Sequence, residues 1–109
     1  MLISWNPNGL LQRCIRELKK AVPEILVITD VAMDPYSSAG HDGYVDHEGR
    51  IDNDITLPIL CKMAVAQAEA GADVVSPTHI TRDLLRTISF HLRIIYCNVV
   101  KNVRLPLRI

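Results

Sequence analysis

The sequence predicts an α/β fold, because two helix-period segments alternate with two short β-branched runs. The helical segments are an apolar stripe between Leu11 and Val22 and an alanine-rich stretch from Leu57 to Ala68. The runs are Ile25 to Ile28 and Asp73 to Ser76. Asn6-Pro7-Asn8-Gly9 is a turn signal that opens the first helix, on which Leu11, Ile15, Leu18 and Val22 recur at helical spacing and Pro23 stops the pattern. Ile25-Leu26-Val27-Ile28 is too short for a helix and predicts a strand buried on both faces, ending in Thr29 and Asp30. The polar stretch 32–53 is far longer than an ordinary connection, which points to function. Asn53, Asp54 and Thr56 are the cap candidates for the second helix, with Pro58 expected in its first turn and Gly71 just past its end. Asp73-Val74-Val75-Ser76 then predicts a second buried strand ended by Pro77.

Two parallel strands joined by a helix form a unit of a doubly wound sheet or of a (β/α)8 barrel, and neither closes with two strands. A barrel needs roughly 200 residues or more, against 109 in this chain. The sequence therefore predicts an excerpt whose sheet has open edges and a bare face.

Composition sharpens this. The chain carries 12 Lys plus Arg and 12 Asp plus Glu, with 49% apolar residues. That apolar share excludes extended disorder, and no run is long and apolar enough for a membrane-spanning helix. The zero net charge is a cancellation. Residues 1–78 hold 6 basic and 11 acidic groups, net −5, together with all five glycines, while residues 79–109 hold 6 basic groups and Asp83 alone, net +5. Two regions follow, 1–78 and a basic, glycine-free tail, 79–109. Cys14, Cys61 and Cys97 are scattered and odd in number, so neither a CxxC zinc site nor a complete disulfide framework is written here.

Ligands of α/β folds bind at the C-terminal ends of strands, where Asp30 and the long loop fall. Asp30, Asp34, Asp42 and His41 lie there within a short span, and their oxygens could gather around a hard cation such as Mg2+. The alternative is a solvated loop in which Asp and Gly simply form turns. An EF-hand is excluded: with Gly49 as sixth position, the first and twelfth are Tyr44 and Ile55, so Asp46 to Gly49 is expected to be a hairpin-like turn. No GxGxxG, GxxxxGK[ST] or GxSxG motif occurs, and Lys62 among polar neighbours is expected to be a surface lysine.

The segments NPNGLLQRCIRELKKAVPEILVITDVAMDPYSSAGHDG, RIDNDITLPIL and AVAQAEAGADVVSPT, in that order, resemble the porphobilinogen synthase (δ-aminolevulinic acid dehydratase) family from about Trp5 to Thr78. The resemblance implies a fragment of a (β/α)8 TIM barrel holding about two β/α units. It implies a lyase that condenses two 5-aminolevulinate molecules to porphobilinogen in tetrapyrrole and heme biosynthesis, and a homo-octamer. It also implies the aspartate-rich version of the family's metal loop, with Ala32, Asp34 and Asp42 at the three ligand positions. Asp34 and Asp42 are thus the expected metal ligands, with Mg2+ favoured and zinc not expected, and Asp30 is the expected active-site lining residue. After Thr78 the family's Asp-Met-Met-Asp-Gly-Arg segment is replaced by His79-Ile80-Thr81-Arg82-Asp83-Leu84. Both active-site lysines of the family lie beyond this point without counterparts, Lys101 having neither context, and the family's N-terminal arm has none either. No catalytic residue is therefore assigned, and the chain alone is expected to be inactive.

The tail reads as a frame-altered end, as a basic element for nucleic acid or anionic lipid, or as a segment packing on the fragment's edge. The rival to a lyase fragment is thus a non-catalytic small protein with a cation-binding loop or a basic tail; neither a membrane nor a nucleic-acid partner is the first expectation. The start MLISWNPNGLL lacks signal- or transit-peptide character, so the expected location is cytoplasmic, with the plastid as the alternative implied by the aspartate-rich version.

Overall fold

A computed structural model describes residues 2–38, 40, 41 and 43–77. A 3-10 turn, Leu2–Trp5, leads to helix α1, Leu10–Ala21, and strand β1, Ile28–Val31. A second 3-10 turn, Asp34–Tyr36, precedes a small hairpin of β2, Tyr44–Val45, and β3, Ile51–Asp52. Helix α2, Asn53–Ala70, and strand β4, Val74–Pro77, complete the fold. Strands β1 and β4 pair in parallel with Ile28 opposite Val74 and Asp30 opposite Ser76, and α2 is their crossover. The expected order of helix, strand, long loop, helix and strand is observed, and the loop holds a 3-10 turn and a hairpin. Asp42, Thr78 and the tail 79–109, with the boundary expected between the two regions, lie outside the described residues.

The expected elements shift in four places. Strand β1 starts at Ile28 rather than Ile25. Residues 22–26 are used instead to leave α1, with Ile25 N–H bonded to the Val22 carbonyl and the Ile25 carbonyl accepting from Lys19 Nζ at 3.0 Å. Strand β4 starts one residue late, at Val74; Asp73 before it bonds to Val27 through both its N–H and its carboxylate. Asp52 caps α2, its Oδ1 accepting from Ile55 N–H at 3.0 Å, in place of Asn53, Asp54 or Thr56. Pro58 is consequently the sixth helical residue, one turn deeper than expected, where it leaves the Asp54 carbonyl without a helical donor. Gly71 closes the helix at φ +116°, a conformation that residues with a Cβ rarely adopt.

Among the described residues, all packing is on one side of the sheet. Val31 and Met33 meet Leu60, Cys61, Met63 and Ala64 of α2, while Ile15 of α1 joins Val27, Ala70 and Ala72 in a second cluster. Burial raises the pKa of the Cys61 thiol. The opposite face is bare: Leu26 is 64%, Ile28 60% and Val74 44% exposed. The strand expected to be buried on both faces is thus buried on one, as an excerpt from a larger sheet must be. Lys62 is a surface residue, its Nζ 5.1 Å from the centre of the Trp5 ring.

At the N-terminal ends of the strands, Asp73 ties three elements together. Its Oδ2 accepts from the Val27 N–H at 2.8 Å and from Lys19 Nζ at 2.9 Å, while the Val27 carbonyl accepts from the N–H groups of Asp73 and Val74. The Val27 N–H and the Lys19 ammonium hold the Asp73 carboxyl below its usual pKa. Replacing it, Asp73→Ala, is expected to cost about 2 kcal/mol of stability at neutral pH, measured by urea denaturation followed by far-UV circular dichroism. A carboxyl with a lowered folded pKa stabilises above its unfolded pKa near 4 and loses that contribution as the pH falls through the folded value. The gap between parent and variant should therefore close below about pH 4.

Candidate functional site

In a parallel strand alternate side chains face opposite sides. In β1, Thr29 and Val31 face the helices, whereas Ile28 and Asp30 face the bare side. Asp30 is therefore the third of four strand residues rather than the residue after the strand. Its register partner Ser76 lies on the same bare side, and Ile28 and Val74 form an apolar floor nearer the N-terminal ends. A carboxylate beside a hydroxyl-bearing residue above an apolar floor can receive a cationic group of a small ligand and exclude water from below.

The main chain at this point is held from the helix side. Gln67 of α2 is fully buried; its Oε1 accepts from the Thr29 hydroxyl at 2.7 Å and its Nε2 donates to the Asp30 carbonyl at 3.0 Å. A buried carboxamide is costly unless both ends are bonded, and here both are. Gln67 fixes the peptide that carries Asp30. Gln67 is not among the residues expected from the sequence, although it falls in helical step with Leu60 and Ala64 as a polar residue on an otherwise apolar face. Nor is Asp73, which the sequence places within the expected strand.

The loop after β1 places Asp34 at the first position of the Asp34–Tyr36 turn, exposed, and His41 is exposed as well. Asp42, the other expected metal ligand, lies outside the described residues. Among the described residues no three His, Cys, Asp or Glu side chains gather as a metal site. What the donors offer is carboxylate oxygen, which suits a hard cation and not a thiolate-type zinc site.

The far end of the loop is firmly fastened. The fully buried Thr56 hydroxyl accepts from the Tyr44 N–H at 3.0 Å and donates to the Asp52 carbonyl. The turn expected at Asp46 to Gly49 is present. Asp46 Oδ1 accepts from the N–H groups of Glu48 and Arg50, and these bonds, that of Arg50 foremost, lower the Asp46 pKa. Arg50 also pairs with Asp46 and Glu48. Gly43 packs so tightly that a Cβ there would lie 2.6 Å from Ile51 Cγ2 and 3.4 Å from Thr56 Oγ1.

Comparison with known proteins places these features in context. The family model described as delta-aminolevulinic acid dehydratase matches residues 2–97. The chain is 61% identical over 75 residues to the chloroplastic delta-aminolevulinic acid dehydratase of Physcomitrium patens, covering 69% of this chain and 17% of that protein. It is 59% identical over 75 residues to the chloroplastic delta-aminolevulinic acid dehydratase 1 of Arabidopsis thaliana, covering 69% of this chain and 17% of that protein. Among solved structures it superposes on the Toxoplasma gondii delta-aminolevulinic acid dehydratase (porphobilinogen synthase) in complex with its reaction product, porphobilinogen. The TM-score is 0.85 at 47% identity, over 88% of this chain and 28% of that one. The chain thus spans under a fifth of the length of these curated relatives. The expected excerpt of a TIM barrel is confirmed by this superposition. The cytoplasmic expectation is corrected: the relatives are chloroplastic proteins, which points to the plastid.

The tight fit at Gly43 yields a double-mutant test. Gly43→Ala should destabilise the hairpin by about 1 to 3 kcal/mol through overpacking, seen as faster proteolytic cleavage of the loop. Ile51→Ala in the same chain should recover most of the loss, giving a coupling that two independent substitutions would lack.

Proposed function

This chain belongs to the delta-aminolevulinic acid dehydratase family, and we propose that it forms one wall of the 5-aminolevulinate site of a porphobilinogen-forming lyase of tetrapyrrole and heme biosynthesis. The observation that carries this reading is the position of Asp30, on the bare side of β1 near the C-terminal end of the strand, with its peptide held by Gln67. In a closed barrel that side faces the interior, and its C-terminal end opens onto the face where ligands of such folds bind.

The chemistry of the substrate suits that wall. 5-Aminolevulinate has an ammonium group at one end and a carboxylate at the other; the Asp30 carboxylate would receive the ammonium, and the apolar floor of Ile28 and Val74 would exclude water beneath it. Condensation through a Schiff base requires an amine made nucleophilic by an apolar pocket or a cationic neighbour. Lys62 is exposed over Trp5, Lys19 is engaged by Asp73 and two carbonyls, and Lys20 is exposed and paired with Glu17, so none of the three fills that role. The covalent step is therefore assigned to lysines outside the described residues and outside this stretch of the family.

The family is metal-dependent. Asp34 and Asp42 are the residues proposed to hold the ion here, with Mg2+ as the ion their oxygens favour and zinc disfavoured. A bound cation would offset the negative charge of the loop and organise the mouth of the site. The assembly proposed for the complete enzyme is the family's homo-octamer.

Two measurements test the reading. The chain alone, incubated with 5-aminolevulinate, should form no pyrrole above a protein-free control; measurable product would overturn the assignment of the covalent step. Titration with Mg2+ followed by amide chemical shifts should perturb residues around Asp34 and Asp42. Asp34→Asn together with Asp42→Asn should abolish those changes, whereas unchanged shifts would place any ion elsewhere.

A further inference from the structure

The turn Asn6-Pro7-Asn8-Gly9, through which the chain enters α1, holds the one Asn-Gly pair of the sequence. Asparagine is a chemically labile side chain, and a following glycine, having no Cβ, gives its amide nitrogen the least hindered approach to the side-chain carbonyl carbon. Here that nitrogen is restrained. Gly9 is buried and its N–H donates to the Asn6 carbonyl at 2.8 Å, while the exposed Asn8 donates its own N–H to Asn6 Oδ1 at 2.9 Å. Asn6 thus holds both amides, one through its main chain and one through its side chain. It does not react in the same way itself, because Pro7 after it has no N–H to give up.

We propose that Asn8 is a site of spontaneous deamidation and that Asn6 is the lock that sets its rate. The reaction is internal to two adjacent residues and consumes only water. The Gly9 nitrogen bonds to Asn8 Cγ, the Cγ–Nδ2 bond breaks, and ammonia leaves with the proton that the Gly9 nitrogen gives up. Water then opens the cyclic imide at one or the other carbonyl, giving aspartate or isoaspartate. While the Gly9 N–H is buried and bonded it neither loses its proton nor turns toward Cγ, so the reaction passes through local opening of the turn. The two products differ in effect. Aspartate places a negative charge just before a helix whose first turn carries no acidic residue and whose cap, Gly9, has no side chain. Isoaspartate adds a main-chain carbon between the two amides that Asn6 holds, so the turn does not close again as it was.

The test incubates the full chain in mildly alkaline buffer, with peptide mass mapping to follow Asn8 and an isoaspartyl methyltransferase assay to quantify the second product. Circular dichroism confirms that each variant keeps its helices. Conversion at Asn8 is expected in the parent chain, and Asn6→Ala should speed it about fivefold, the change in opening that loss of one hydrogen bond allows. Asn6→Asp, whose carboxylate accepts the same Asn8 N–H, should hold the rate at or below that of the parent. Conversion that proceeds equally in the parent and in Asn6→Ala overturns the proposal. So does an Asn8 that stays intact in both, or an Asn6→Asp chain that reacts as fast as Asn6→Ala.

Discussion

A parallel pair of four-residue strands has too few ladder bonds to set its own register, and here the register is everything. Sliding β1 by one residue would turn Asp30 toward the helices and Thr29 toward the open side. Two side chains from other elements prevent this. Asp73 grips the start of β1 through the Val27 N–H, and Gln67 grips its end through the Thr29 hydroxyl and the Asp30 carbonyl. The first is charge-assisted and partly exposed; the second is neutral and fully buried. Together they pin a strand whose outer face has nothing packed on it among the described residues. The position of the one carboxylate on that face is a consequence of these bonds.

The same view explains which features could be read from the sequence. Local chemistry was legible wherever one residue type decides the conformation: Gly71 ends α2, Pro23 follows α1, and Asp46 to Gly49 make the hairpin turn. Features that depend on a distant partner were not legible. Asp73 holds the residue before β1 from 46 residues away, through the Val27 N–H, and an Asp next to a Val-Val pair is more easily taken for the strand itself. Asp52 was overlooked as a cap because three polar residues follow it closely, and only the hairpin register shows which of them precedes the first helical turn. Gln67 left a trace, a polar residue in step with Leu60 and Ala64, but without β1 in place there was nothing for it to hold.

For the candidate site the division falls elsewhere. Asp30 and Asp34 stood out by residue type and position in an α/β pattern, and the family resemblance gave each a role. The orientation of Asp30 within β1, and Ser76 as its neighbour, required the pairing of β1 with β4. Periodicity also misled on α1. Leu11, Ile15, Leu18 and Val22 fit one helical stripe on paper, but α1 ends at Ala21, so Val22 leaves the helix, and at 100° per residue Leu18 stands about 60° from Ile15, on the flank of the contact. Leu18 and Val22 are 46% and 38% exposed.

Charge connects the fold to the candidate site. The segment up to Thr78 is net −5, and its carboxylates divide into those spent on structure and those at the mouth of the fold. Asp46, Asp52 and Asp73 each accept main-chain N–H groups, so their charge is balanced by the fold itself. Asp34 sits on the exposed loop and Asp30 on the bare sheet face. Their field therefore points at whatever completes the barrel and enters it. A closed interior would strengthen that field by excluding water, and any carboxylate enclosed there requires partners for its oxygens. The wall that carries Asp30 therefore sets an electrostatic demand on whatever closes over it, which the solvated carboxylates of the hairpin do not.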